Sequence, residues 1–227
     1  METPYTNHIK RDEYEFVYEP AEDTFLLLDA LEKDLPYIER LSPQICLEIG
    51  SGSGVIITAL SKRLRNTLCL ATDINPYACQ VTRRTSSHNQ GYVDVVNTNF
   101  TQGLRVRNID LLLFNPPYVV TDTDELNMLS LKIGDAEENI TKNQLVRSWA
   151  GGKNGREIID ALFKNLDQML SRRGVLYLLV LKENQPNVIE QNLNSIGFNV
   201  ENFMDRKIPG EHLYVLKITR KKGKDDE

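Results

Sequence analysis

No apolar run in this 227-residue chain approaches the ~20 residues that a membrane-spanning helix requires. Cysteine is scarce. The three present, Cys46, Cys69 and Cys79, form no C-x-x-C pair, so neither a zinc cage nor a disulfide framework is expected. Each sits in or beside an apolar stretch and reads as a small buried hydrophobe of a reducing compartment. Residues 1–18 are polar and charged, which is not the pattern of a secretory signal. Positive charge is not in excess either: a net charge of −5 gives no basic surface with which to grip phosphates and speaks against a nucleic-acid partner. The one basic run, residues 220–224, is followed by Asp225, Asp226 and Glu227, so residues 220–227 read as a solvated charged tail. Internal repeats and low-complexity linkers are absent. What remains, 41% hydrophobic and 26% charged residues, suits one domain spanning residues 1–227 with a real core, preceded by an arm at 1–17.

The body of the chain alternates in character. Residues 45–49, 68–74, 93–97, 110–114 and 175–181 are short, apolar and β-prone. Between them lie amphipathic stretches at 54–65, 76–89 and 155–170. This rhythm predicts an α/β fold, a parallel sheet with helices on both faces. A further helix at 187–196, closed by Gly197, leads to strands 198–204 and 212–219. The tight turn at Pro209-Gly210 makes those two antiparallel. Ahead of the first strand, 20–35 reads as one helix, with Pro20 in its first turn and Glu22 and Asp23 at its positive end. Residues 121–148 are polar, weakly patterned and longer than ordinary connections, which makes them either a substrate lid or a partly disordered segment.

Two segments carry chemistry. The first is Leu47-Glu48-Ile49-Gly50-Ser51-Gly52-Ser53-Gly54, a strand running into spaced glycines and then a helix. Glycine lets the backbone turn sharply and lets a ligand approach the main chain. Val55 stands where a dinucleotide fingerprint has its third glycine, which argues against NAD or FAD. Glu48 suits a ligand with a cationic group better than a pyrophosphate. Asp73, at the end of the next strand, can accept both ribose hydroxyls of a nucleoside.

The second and more specific segment is Asn115-Pro116-Pro117-Tyr118, directly after strand 110–114. Two prolines cannot continue a ladder, so the chain leaves the sheet at its C-terminal edge, where open α/β sheets bind ligands. The Asn115 side-chain oxygen and the Pro116 carbonyl can accept both hydrogens of a planar NH2 group, and Tyr118 can stack on a flat substrate.

Asn-Pro-Pro-Tyr after the fourth strand, with Glu-x-Gly-x-Gly-x-Gly after the first, resembles the class I methyltransferases that act on exocyclic amino or amide nitrogens. Val17-Tyr18-Glu19-Pro20-Ala21-Glu22-Asp23-Thr24-Phe25 and Trp149-Ala150-Gly151-Gly152-Lys153-Asn154-Gly155-Arg156 narrow this to a resemblance to the eukaryotic HemK-type glutamine methyltransferases. It extends from Tyr18 to about Thr219, with the four motifs in the expected order. The resemblance implies a Rossmann-like seven-stranded, mostly parallel sheet whose last strand is antiparallel, and S-adenosylmethionine as cofactor. By the same resemblance Thr24 contacts the methionine end of that cofactor, Glu48, Gly50 and Gly52 line its turn, Asp73 takes the ribose, and Asn115 holds the substrate amide. The family's adenine-binding Asp is replaced by Asn99, which can still accept that hydrogen bond without charge, and Phe100 can flank the ring.

The expected catalytic set is therefore Asn115, Pro116 and Tyr118, with no metal and no histidine base. His8, His88 and His212 fall outside the motifs. The resemblance also implies a substrate, the glutamine of the Gly-Gly-Gln motif in the cytoplasmic class I translation release factor, with action in the cytoplasm and the nucleus as a second compartment. It further implies a small zinc-binding activator that pairs with the sheet along Val93-Asp94-Val95-Val96. Two rivals share the fold and the motif, an adenine-N6 methyltransferase and a lysine methyltransferase. The acidic balance and the lack of an obvious base weigh against them. Loss of Asn115 or Asp73 would have marked a non-catalytic binding module, and both are present.

Overall fold

The computed structural model describes residues 1–104, 107–122 and 148–221. A seven-stranded sheet runs in the order β3-β2-β1-β4-β5-β7-β6. The strands are β1 (Ile45–Ile49), β2 (Leu68–Asp73), β3 (Asp94–Asn97), β4 (Ile109–Phe114), β5 (Leu170–Leu181), β6 (Phe198–Ile208) and β7 (Glu211–Arg220). β1 to β5 pair in parallel, while β7 runs antiparallel to both β5 and β6. The helices are α1 (Glu22–Lys33), α2 (Leu35–Leu41), α3 (Val55–Arg63), α4 (Pro76–His88), α5 (Glu157–Met169) and α6 (Pro186–Ser195).

The central strands alternate the face to which they send each side chain, as the pleat dictates. Leu111, Leu113, Tyr177 and Leu179 join a core with Leu27 and Leu31 of α1 and Ile57 and Leu60 of α3. Leu112, Phe114, Leu176 and Leu178 join a second core with Ile159, Leu162 and Leu166 of α5 and Ile189 of α6. Both faces are thus covered, which is why these strands read as continuous apolar runs. Cys46, Cys69 and Cys79 are buried free thiols. No helix among the described residues is long and apolar enough to cross a membrane.

The structure corrects two expectations. The helix expected at 20–35 is α1, two residues shorter at each end, so Pro20 lies before it, and a second helix that was not expected, α2, begins at Leu35. Ala21, extended, is the N-cap, and Pro36 occupies the first turn of α2, where a continuing helix would lack its N–H. The tail does not begin at residue 220. Arg220 ends β7, donating to the carbonyls of Ser171 and Leu170 and pairing with Asp167, and Lys221 donates to the Asn194 carbonyl. The proposed lid, 121–148, lies outside the described residues except for its ends at 121–122 and 148.

Candidate active site

The sheet order reverses between β1 and β4, the place where crossovers to opposite faces leave a crevice at the strand C-termini. A cavity of about 610 Å³ opens there. Thr24, Glu48, Gly50, Gly52, Asp73, Asn99, Phe100, Asn115, Pro116 and Tyr118 all line it. Residues chosen from five separate segments of the sequence therefore face one space.

Its first wall is the turn after β1. Gly50, Gly52 and Gly54 all have positive φ. A Cβ on Gly54 would sit 2.7 Å from the Thr82 Cα of α4, so only glycine permits this approach of loop to helix. Asp73 ends β2 beneath the turn. Its Oδ2 accepts from the Gly52 N–H at 2.9 Å and its Oδ1 from the Asn75 N–H at 2.8 Å. Burial pushes this carboxyl upward, and the N–H groups of Asn75, Gly52 and Ile74 pull the other way. Each oxygen keeps a lone pair for a further donor. Glu48 is more isolated. Its Oε2 accepts only the Ile57 N–H, and burial raises its pKa well above the carboxylate range, with Asp73 adding to the rise. A cationic group entering the cavity would draw Glu48 toward its ionised form.

The opposite wall is Asn115-Pro116-Pro117-Tyr118, and here the sequence reading was incomplete. Asp23 was assigned to the positive end of α1. It does accept the Thr24 N–H at 2.6 Å, but it is also buried in the cavity wall, where its Oδ2 accepts from Asn115 Nδ2 at 2.9 Å and from the Tyr118 hydroxyl at 2.8 Å. The Tyr18 hydroxyl joins this cluster. Burial, with the Asp23 charge adding to it, raises both phenols. Tyr118 is consequently a fixed wall with its hydroxyl committed.

The consequence for Asn115 is decisive. Its Nδ2 is committed to Asp23, which fixes the orientation of the amide, and its Oδ1 is buried with no hydrogen-bond partner among the described residues, while the residue itself lines the cavity. A buried orphan acceptor is costly unless a ligand satisfies it. The site thus presents a pre-oriented acceptor for an N–H donor.

The Trp149–Arg156 motif buttresses this turn. Val119 and Ala150 bridge in parallel, and Val119 exchanges hydrogen bonds with Trp149 and Gly151. Gly155 packs so tightly that a Cβ there would lie 1.9 Å from the Tyr118 carbonyl oxygen. Asn184, fully buried, donates to that same carbonyl at 2.8 Å. Nothing in the sequence separated Asn184 from any other polar residue after a strand.

The family model for the methyltransferase small domain matches residues 22–176. The chain belongs to this family. It is an S-adenosylmethionine-dependent methyltransferase of Rossmann-like fold. Methyltransferase HEMK2 of Homo sapiens is 40% identical over 96% of this chain and 96% of its own. The eRF1 methyltransferase catalytic subunit mtq2 of Schizosaccharomyces pombe is 35% identical over 97% of this chain and 96% of its own. Among solved structures, the E. cuniculi Mtq2-Trm112 complex, described as responsible for methylating the eRF1 translation termination factor, superposes with a TM-score of 0.62. It is 29% identical and covers 91% of this chain and 99% of that one. The lining fits such a cofactor chemically: Asp73 would offer its carboxylate to the hydroxyls of a nucleoside and Glu48 its carboxyl to a cationic group, with the glycine turn beside them.

Proposed function

We propose that this methyltransferase acts on the side-chain amide nitrogen of a glutamine in the Gly-Gly-Gln loop of the class I peptide chain release factor, giving N5-methylglutamine. The observation that carries the reading is the unpartnered Asn115 Oδ1, fixed in orientation by Asp23. The substrate class follows from it together with the eRF1 methyltransferase name of the S. pombe relative.

An amide nitrogen is a weak nucleophile because its lone pair is delocalised into its carbonyl. S-adenosylmethionine, when bound, supplies an electrophilic methyl group on a sulfonium that leaves as a neutral thioether. As the new C–N bond forms and the C–S bond breaks, the nitrogen gains positive charge and loses planarity, and one of its hydrogens leaves as a proton to water. Asn115 Oδ1 and the Pro116 carbonyl accept the two N–H groups and stabilise that charge more than the ground state. The wall at Tyr118 confines a flat group and fixes its approach. The two glycines that precede the glutamine allow a thin extended loop to enter.

The test is a side-by-side incubation of the chain with labelled cofactor and either the release factor or adenine-containing duplex DNA, read by mass spectrometry. The label should appear on the Gly-Gly-Gln glutamine and scarcely on DNA. Comparable labelling of DNA or of lysine, or labelling that survives a Gln→Asn change in the motif, would overturn the assignment.

The same reading includes the small zinc-binding activator. β3 is the outermost strand on its side of the sheet, open to strand addition. Tyr92, just before it, is 77% exposed, and Leu68 beside it is 47% exposed. Val95 packs partly into the core and its carbonyl accepts from Arg83, so Val95→Lys would disturb the fold as well as the edge. Tyr92→Glu is the cleaner probe. An exposed aromatic anchor at an interface contributes about 2 kcal/mol or more, so complex formation should weaken by roughly 30-fold with an unchanged melting temperature. Undiminished pull-down of the activator by Tyr92→Glu would place the interface elsewhere.

A further inference from the structure

The arm at residues 1–17 does not lie loose on the surface. Ile9 and Val17 are buried with Ala78 and Val81 of α4, and Asn89, just past that helix, exchanges hydrogen bonds with both the N–H and the carbonyl of Tyr5. The arm then runs directly into the cavity wall, to which it gives Val17 and, next in the chain, Tyr18.

Two side chains join this arm to the cofactor-binding turn. Asn75 has every polar group engaged. Its Oδ1 caps α4 by accepting the Tyr77 N–H, its carbonyl accepts from Cys79, its own N–H donates to Asp73, and its Nδ2 donates to the Phe16 carbonyl at 2.7 Å. One residue thus holds both the ribose-facing carboxylate and the end of the arm. Thr85 makes the second link. Its hydroxyl proton goes to the Ser53 carbonyl in the glycine turn at 2.7 Å, so its lone pair must be what faces His8 Nε2 at 3.0 Å. His8 is then the Nε2–H tautomer, a donor. Its Nδ1 is buried without a partner, and burial, His88 and Arg84 all oppose a positive charge on the ring, against Glu13 alone.

We propose that the arm is a working part of the cofactor site: its docking on α4 and cofactor binding form one coupled equilibrium, carried by the positioning residues Asn75 and Thr85. Coupling of this kind is reciprocal, so whatever the docked arm adds to cofactor affinity, the cofactor returns as protection of the arm. None of this depends on the methyl acceptor, and the test needs none.

The test measures deuterium uptake across residues 1–17 of the full chain, with and without saturating S-adenosylhomocysteine, and the dissociation constant of that ligand by calorimetry. Three variants separate the links. Asn75→Ser keeps a good helix cap but cannot reach the Phe16 carbonyl. His8→Ala removes the donor to Thr85, well outside the cavity. His8→Gln restores an N–H donor. Ligand should slow exchange of the arm. Asn75→Ser and His8→Ala should each speed it and weaken binding by about three- to tenfold, the worth of one hydrogen bond, and His8→Gln should recover most of the loss. Arm exchange indifferent to saturating ligand would overturn the coupling, and that measurement on the parent chain decides even if a variant fails to fold. So would variants whose arm is freed while the dissociation constant stays within twofold of the parent.

Discussion

Asn115→Ala is expected to bind S-adenosylmethionine within a few-fold of the parent and to lose about 10²–10³ in turnover, the usual cost of removing one preorganised partner of developing charge. The loss should fall on kcat and kcat/KM together, because the interaction strengthens as the nitrogen becomes cationic. Geometry motivates the size. The amide is already held in orientation by Asp23 and its oxygen is already shielded from water, so little reorganisation is required when the charge develops. Asp23→Asn is the informative companion. It keeps the volume but can present an NH2 group where Oδ2 now accepts from Asn115 and Tyr118. The Asn115 amide is then free to turn over, and turnover should fall with little change in cofactor affinity. Steady-state kinetics on both variants, with thermal melts to confirm folding, checks the assignment. Turnover of Asn115→Ala within a few-fold of the parent would show that the amide is not held there.

The parts of this molecule that were legible in the sequence are those fixed by local rules. Short, apolar, β-prone runs located the strands, and Pro209-Gly210 marked the β6–β7 turn, because backbone geometry permits few alternatives there. The glycine turn and Asn-Pro-Pro-Tyr were legible for the same reason. Both are backbone devices at strand ends, and the parallel sheet brings its strand ends together. The roles of Asp23, Asn75 and Asn184 were not legible. Each has an ordinary local use: an acid in a first helical turn, a helix cap, a polar residue closing a strand. Their other partners, Asn115, Phe16 and Tyr118, lie 92, 59 and 66 residues away. Only the fold makes those pairs. Helix α2, beyond the helix expected at 20–35, was not legible either, and Asp34 between the two helices takes its partners, Lys217 and the Tyr177 hydroxyl, from more than 140 residues along the chain.

Asp73→Ala should produce the largest loss of cofactor affinity of any single change in the cavity. A carboxylate receiving two ribose hydroxyls makes two charge-assisted hydrogen bonds, each worth about 1.5–3 kcal/mol, so the dissociation constant should rise by at least about 10²-fold. The structure adds a second contribution. Asp73 also receives the N–H groups of Gly52 and Asn75, so its removal leaves one half-buried and one buried donor unpaired and releases the turn after β1. Asp73→Asn should not rescue binding, because one of its two positions must then aim an NH2 group at a backbone N–H. The diagnostic feature is a ratio. Substrate and product forms of the cofactor share the ribose and differ in the charge on sulfur. Asp73→Ala should therefore weaken S-adenosylmethionine and S-adenosylhomocysteine by the same factor, whereas Glu48→Gln, which removes a potential anion from the cavity, should penalise the cationic form more. Calorimetry on the two ligands decides it. Unchanged affinity for both in Asp73→Ala would remove the ribose from this carboxylate, and a loss confined to the sulfonium would move Asp73 to the other end of the ligand.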